Sequence, residues 1–401
     1  MKKIISILNI LAMLIVISTV LFAQQKEPEK VLRIVYEIKP DEWYQEQAKL
    51  WKKEIDKNPK NAEAWHNYYN AVRYENFNQT IGTKEKQEKL QQIVADLGKN
   101  APESFQYYYL KYFTSGDKTK NIRDMEIAHK MAPDRPDPLY ELITHYELNG
   151  DEAKVRGYYN ELYETKDIAP WLVNYNYNVL MSIEENAIIF TNGDNDTYPA
   201  RMLQEVKAVR TDVSILNISM SGTETYLERV LGKKGIKINR KELMHKAVTT
   251  GSDKSKSFSI STFVQEVCKY LAQNYPDFPV YFALTVYEQH FKPLKDDLYI
   301  VGLAYRYNPK RIDNIAVTKK NLENNFRLDY LKYDWYNDLY PGTNLMNTLQ
   351  LNYVPGMMML VEHYKTSGQQ EKAQYWKNLA TELAKRAGRE EWIKDIEKNG
   401  L

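Results

Sequence analysis

The chain has 401 residues, enough for two or three domains, and at 43% hydrophobic and 27% charged it can bury a sizeable core. A net charge of +2 with no long basic block excludes the electrostatic footprint of a nucleic-acid binder. A single cysteine, Cys268, excludes an internal disulfide.

The first element is an export signal. MKK is a positive start, and Ile4 to Ala23 is an apolar run ending in a small residue. Residues 1–23 read as a signal peptide cut near Ala23, or alternatively as an uncleaved anchor, since the run is also close to spanning length. Either form places the rest outside the cytoplasm, with membrane contact only through that anchor. No Cys follows the run, which excludes a lipid-modified N-terminal Cys.

Residues 24–40 read as extended or loosely ordered, and 41–57 as a helix. NPKNAEAWHNYYNAVRY (58–74) opens a further helix after Pro59, and the polar run 76–89 reads as a connection. Next comes a period. KYFTSGD (111–117) and HYELNGD (145–151) match, with Gly116 and Gly150 lying 34 residues apart. Phe105 and Leu139 share that spacing, as do Ala128 and Leu162, and Tyr112 and Tyr146 each precede their Gly by four. The aromatic, the turn Gly and the closing Pro133 resemble the tetratricopeptide repeat, two antiparallel helices per unit. Residues 41–168 are therefore expected to form such helical repeats. The 32 tyrosines, clustered at 68–69, 107–109 and 158–159, suit helix-pair packing, with an aromatic sugar-binding surface as the sharper alternative.

From 170 to 310 the period changes. Strands are expected at 187–190, 214–219, 280–285 and 299–304, alternating with helices at 199–209, 223–231 and 261–274, with 251–257 as a mobile loop. That alternation predicts a small α/β domain with a mostly parallel sheet. Cys268 lies at helical spacing from Val264 and Leu271, as a buried small residue would. Residues 311–401 form a C-terminal helical region with one repeat-like pair, in which Tyr364 again precedes Gly368 by four. The expected fold class is α+α/β: tetratricopeptide-like repeats flanking the α/β domain.

FTNGDNDTYP (190–199) is the densest motif. Asp194-Asn195-Asp196 has the D-x-D form, and with Asn192 and Thr197 it offers the oxygens a hard divalent cation wants, with Asp194 and Asp196 as metal ligands. It also follows a strand, where open α/β sheets place ligands. The same residues suit a tight turn and a helix cap, with Arg210 reaching back to Asp194 or Asp196 as partner. Ser219, Ser221, Thr223, Thr285 and Glu288 follow the other strands and would gather near this loop. No G-x-S-x-G elbow, P-loop or H-E-x-x-H is present, no nucleophile is seen paired with a base, and the six histidines lack metal-ligand spacing.

IIFTNGDNDTYPARMLQEVKAVRTDVSILNISM, with VYFALTV (280–286) and GLAYRYNP (302–309) in the same order, resembles the soluble C-terminal part of bacterial multi-pass protein O-mannosyltransferase-type membrane proteins. The resemblance covers about residues 170–380. It implies an extracytoplasmic accessory domain, because the multi-span region expected to carry sugar transfer has no counterpart here. The expected function is a non-catalytic module at the envelope or periplasm that binds a protein or glycan partner, accessory to glycosylation or assembly. The alternative is a metal-dependent glycan-processing enzyme centred on Asp194 and Asp196. The candidate ligand-binding residues are Asn192, Asp194, Asn195, Asp196, Thr197 and Arg210, the only cofactor implied is a divalent cation, and no catalytic residue is assigned.

Overall fold

The computed structural model describes residues 26–80, 82–115, 121–250, 256–333 and 340–399. The signal segment, Gly116 and the loop residues 251–255 lie outside the described residues. Among the described residues no helix is long and apolar enough to cross a membrane. The chain forms two compact units: residues 1–34 with 38–118, and 35–37 with 119–401.

The first unit is helical: α1 (Asp41–Lys57), α2 (Ala62–Tyr74), α3 (Phe77–Thr80), α4 (Lys84–Asn100) and α5 (Phe105–Thr114). Its starts follow from local chemistry. The side chains of Asn61, Thr83 and Ser104 accept from Ala64, Lys86 and Tyr107 N–H, capping α2, α4 and α5. At the other end of α2 the buried Lys86 ammonium donates to the Val72 and Glu75 carbonyls at 2.6 and 3.0 Å. The segment before α1 has no helix or strand, turns at residues 34–36, and is held in place. Val31 N–H donates to Asn67 Oδ1 (2.8 Å), Asn70 Nδ2 to Val31 O (3.3 Å), and Glu29 N–H to Gln47 Oε1 (2.7 Å).

The second unit opens with α6 (Ile122–Met131), α7 (Asp137–Asn149), α8 (Glu152–Thr165) and α9 (Pro170–Met181). The α/β layer contains β1 (Ile188–Thr191), α10 (Asp194–Lys207), β2 (Ser214–Asn217), α11 (Ile218–Ser221), α12 (Tyr226–Gly232), α13 (Arg240–Lys246), the hairpin β3 (Val248–Thr250) and β4 (Lys256–Phe258), α14 (Ile260–Asn274) and β5 (Val280–Ala283). After β6 (Leu298–Ile300) and β7 (Ala304–Tyr307), the chain ends in α15 (Asn314–Lys320), α16 (Thr343–Gln350), α17 (Val354–Thr366), α18 (Gln370–Arg386) and α19 (Glu390–Asn399).

The sheet order is β2-β1-β5-β7-β6. β2, β1 and β5 are parallel, and β7 and β6 add antiparallel, so the sheet is mixed. The expected strand at 299–304 is in fact two strands, turning through Val301–Leu303. The fully buried runs of β1 and β5 explain why both read as continuous apolar stretches. One core runs from Ala169 to Ile396, joining the α/β layer to the C-terminal helices. Cys268 belongs to it at 0% exposure, and burial pushes its thiol far up.

Two helix pairs in this unit share one geometry. Tyr146 in α7 and Tyr364 in α17 are buried, and Gly150 and Gly368 follow at φ 78° and 74°. Asp151 N–H then bonds Tyr146 O (3.0 Å), and Gln369 N–H bonds Tyr364 O (2.8 Å), ending each helix the same way. The hydroxyls donate to Glu126 and Glu323, and Lys154 and Lys372 sit over the two rings at 4.0 and 5.0 Å. The residues matched at spacing 34 agree in burial too: Phe105, Leu139, Ala128 and Leu162 are all buried, as are Tyr112 and Tyr146.

Candidate functional site

The chain passes from β1 to β2 on one side and later to β5 on the other, so the carboxyl ends of β1 and β5 flank a topological switch point. Open α/β sheets bind ligands in that crevice. FTNGDNDTYP sits there, but it is less a loop than the sequence suggests. α10 begins at Asp194, five residues before the expected start at Pro199.

Two side chains explain the early start. Asp196 is 2% exposed, and its carboxylate accepts from Asn192 N–H (2.7 Å), Gly193 N–H (2.8 Å) and Thr285 Oγ1 (2.5 Å). It satisfies the amides that precede the helix while lying at the positive end of the helix dipole. Pro199, inside the helix, has no N–H for the carbonyl of Asn195. The buried Asn176 supplies the missing donor, Nδ2 to Asn195 O at 2.8 Å.

The rest of the edge is equally self-paired. Thr197 and Thr191 hydroxyls meet at 2.8 Å, and Asn217 Nδ2 donates to Thr197 Oγ1 at 3.0 Å. Asn217 also caps α11 through Met220 N–H, while Ser221 turns back to Asn217 O. Asn195 Nδ2 donates to Val35 O (3.1 Å), holding residues 35–37, and Tyr36 and Tyr140 hydroxyls both bond Asp167. Thr285 and Ser221 therefore gather as expected, whereas Ser219, Thr223 and Glu288 are exposed and join no bond here.

Asn192, Asp196 and Thr197 are brought together, and Asp194 occupies the half-buried first position of α10. Arg210 is not with them. All its N–H groups are used elsewhere: Nε and Nη2 on Asp212 (2.9 Å each), Nη1 on Leu180 and Ile183 carbonyls, and Nη2 on Glu184 O. The expected pairing of Arg210 with Asp194 or Asp196 is thus corrected. Arg210 precedes β2 and lies at the amino edge of the sheet, while the acids follow β1 at the carboxyl edge. Four-residue strands separate those edges by roughly 13 Å.

A hard cation would need lone pairs directed at one point. The groups converging on Asp196 are instead three hydrogen donors, which satisfy a carboxylate and repel a metal ion. The lone pairs of Asp196 are thus directed at donors, and among the described residues no group of three or more His, Cys, Asp or Glu side chains could hold a metal ion. Burial pushes the Asp196 carboxyl above its ordinary value, while Thr285 first, and then the Asn192 and Gly193 amides, pull it back.

Two features were missed in the sequence. Ser261 Oγ lies 3.0 Å from His290 Nδ1, a hydroxyl–imidazole pair across 29 residues. The other ring nitrogen meets the Gln289 side-chain amide at 3.4 Å. The second is an open groove of about 640 Å³ beside α18, lined by Phe326, Arg327, Asp329, Glu371, Tyr375 and Trp376. Tyr375 is 45% exposed there, and the Arg327 guanidinium stacks 3.7 Å over the Tyr177 ring.

A family model described as TMEM260-associated domain 2 matches residues 172–237, the segment from α9 through α12 that carries the whole β1–α10–β2 unit. No curated protein matches the chain.

Proposed function

We propose that the protein is an exported component of the cell envelope that binds a protein or glycan partner without catalysis, as an accessory to envelope glycosylation or assembly. The observation that carries this reading is the closed crevice. At the switch point, where an α/β enzyme would hold its substrate, Asp196 and Thr285 bond across the gap between β1 and β5, and their neighbours are consumed by one another. The match to a domain described as TMEM260-associated, together with the resemblance to the soluble part of mannosyltransferase-type proteins, supports an accessory role. The expected tetratricopeptide-like character of the helix pairs supports partner binding, as stacked helices make broad binding faces.

The groove beside α18 is the surface that suits a partner. It offers an exposed ring at Tyr375 and carboxylates at Asp329 and Glu371, a combination that stacks on a sugar face and accepts its hydroxyls. Co-sedimentation of the purified protein with isolated envelopes tests the reading. Saturable binding weakened about tenfold by Tyr375→Ala is expected, as for a central aromatic anchor. Loss of binding after protease treatment identifies a protein partner, and loss after glycan removal identifies a sugar. Sugar transfer or cleavage by the pure protein would overturn the proposal.

A further inference from the structure

A separate cavity of about 290 Å³ lies at the other edge of the sheet, walled by α7, α8, α10, the segment entering β2 and the end of α12. Five cations line it: Arg156, Arg201, Arg229, Lys233 and Lys234. Three acids, Glu147, Glu152 and Glu205, line it as well.

The pairing leaves positive charge over. Arg201 Nη2 meets Glu205 at 3.0 Å, Arg201 Nε approaches Glu147 at 3.5 Å, Arg156 meets Glu205 at 3.3 Å, and Lys233 meets Glu152 at 2.7 Å. Arg229 spends its donors on the Leu148 and Glu147 carbonyls at the end of α7, and Lys234 pairs with no acid among the described residues. Against three acids, the five cations leave a surplus of two charges.

One buried donor in the cavity wall also lacks a hydrogen-bonded acceptor. Arg201 Nε is buried without a hydrogen bond, because its approach to Glu147 is an ion pair and not a bond. A buried donor with no acceptor is costly, and an oxyanion relieves it. Thr211 and Ser214 add hydroxyl-bearing lining, and Val155 and Ile215 add apolar lining, so the remaining space suits a small organic body.

We propose that this cavity binds a phosphate monoester of monosaccharide size. The monoester carries close to two negative charges at neutral pH, matching the surplus, and its oxygens supply the acceptor that Arg201 lacks. The volume of about 290 Å³ lies just below the usual range for small-ligand sites, which favours a ligand no larger than a monosaccharide phosphate. The site is independent of the groove beside α18 and of the partner reading, and each can fail without the other.

Isothermal titration of the purified protein at low salt tests it, with glucose 1-phosphate, inorganic phosphate, glucose and dimethyl phosphate as probes. Glucose 1-phosphate should bind once per chain, inorganic phosphate more weakly, and glucose and dimethyl phosphate not at all. Binding should weaken as pH falls below about 6 and the second phosphate proton returns. Lys234→Gln should weaken glucose 1-phosphate about tenfold while leaving the ligand-free melting temperature unchanged, and Lys234→Arg should restore it. Absence of glucose 1-phosphate binding, equal binding by Lys234→Gln, or equal binding of dimethyl phosphate would overturn the proposal. Inorganic phosphate binding as tightly as the ester would overturn the organic part of it.

Discussion

Thr285→Val isolates the bond that closes the crevice. The replacement keeps the branched shape but removes the hydroxyl that donates to Asp196. Hydrogen bonds to charged groups contribute about 1.5–3 kcal/mol, and a buried carboxylate at 2% exposure has no water to replace the lost donor. A loss of about 2 kcal/mol is expected at neutral pH, or roughly 4–8 °C in the melting midpoint. The pH dependence makes the test specific. Burial already raises the folded-state pKa of Asp196, so the favourable contribution of this group is fully present below its unfolded value and is lost as pH rises through the folded one. The Thr285 bond opposes that rise, so its removal pushes the folded pKa higher still. The stability gap between wild type and variant is therefore widest above the raised pKa and narrows as pH falls toward the ordinary carboxylate range. Calorimetric melting across that range measures it. A variant that melts with wild type at neutral pH, or a gap that widens on acidification, would show that this bond does not hold the crevice closed.

Other outcomes are expected from the same structure. Asn176→Ala leaves the Asn195 carbonyl without a donor and should cost about 1–3 kcal/mol in urea unfolding. Pro199→Ala restores the helix's own N–H, so in that background the cost should shrink, and an unchanged double-mutant cycle would contradict the role given to Asn176. Gly368→Ala should cost about 1–2 kcal/mol for its left-handed backbone alone, since open space surrounds it. Gly150→Ala should cost more, because the new Cβ would lie 2.9 Å from Arg229 Cδ and displace the guanidinium from the end of α7; equal melting shifts for the two would argue against that packing. Tyr146→Asp should cost several kcal/mol by placing a charge in a buried helix interface, read by thermal melting. N-terminal sequencing of protein from the native envelope should begin after Ala23, and a chain retaining Met1 in the cytoplasm would refute export.

The helix pairs were legible because their signals are local. A Gly four residues after a Tyr fixes a left-handed helix end, and the sequence alone placed it at Gly150 and Gly368. Strand positions were legible for the same reason, as β1 and β5 are buried on both faces and read as apolar runs. The partners of polar side chains were not. Helix α10 starts early because Asn176, 19 residues upstream, replaces the N–H that Pro199 lacks, and a local reading sees only the proline. Thr285 was placed near the loop by strand-end logic, but that it is Asp196's own hydrogen-bond donor depends on β5 lying beside β1. The place of Arg210 was legible from strand direction. A residue entering a strand and an acid leaving the parallel neighbour belong to opposite edges, which strand direction alone would have shown.

The NGDNDT segment closes the sheet edge by satisfying its own polar groups. Calorimetric titration of Ca²⁺, Mg²⁺ and Mn²⁺ into the intact protein, beside the Asp194→Asn/Asp196→Asn double variant, tests it most directly. No saturable binding to the wild-type chain is expected at millimolar metal, and the variant should differ from it in stability alone. Stoichiometric binding of any of these ions by wild type, abolished in the double variant, would contradict it.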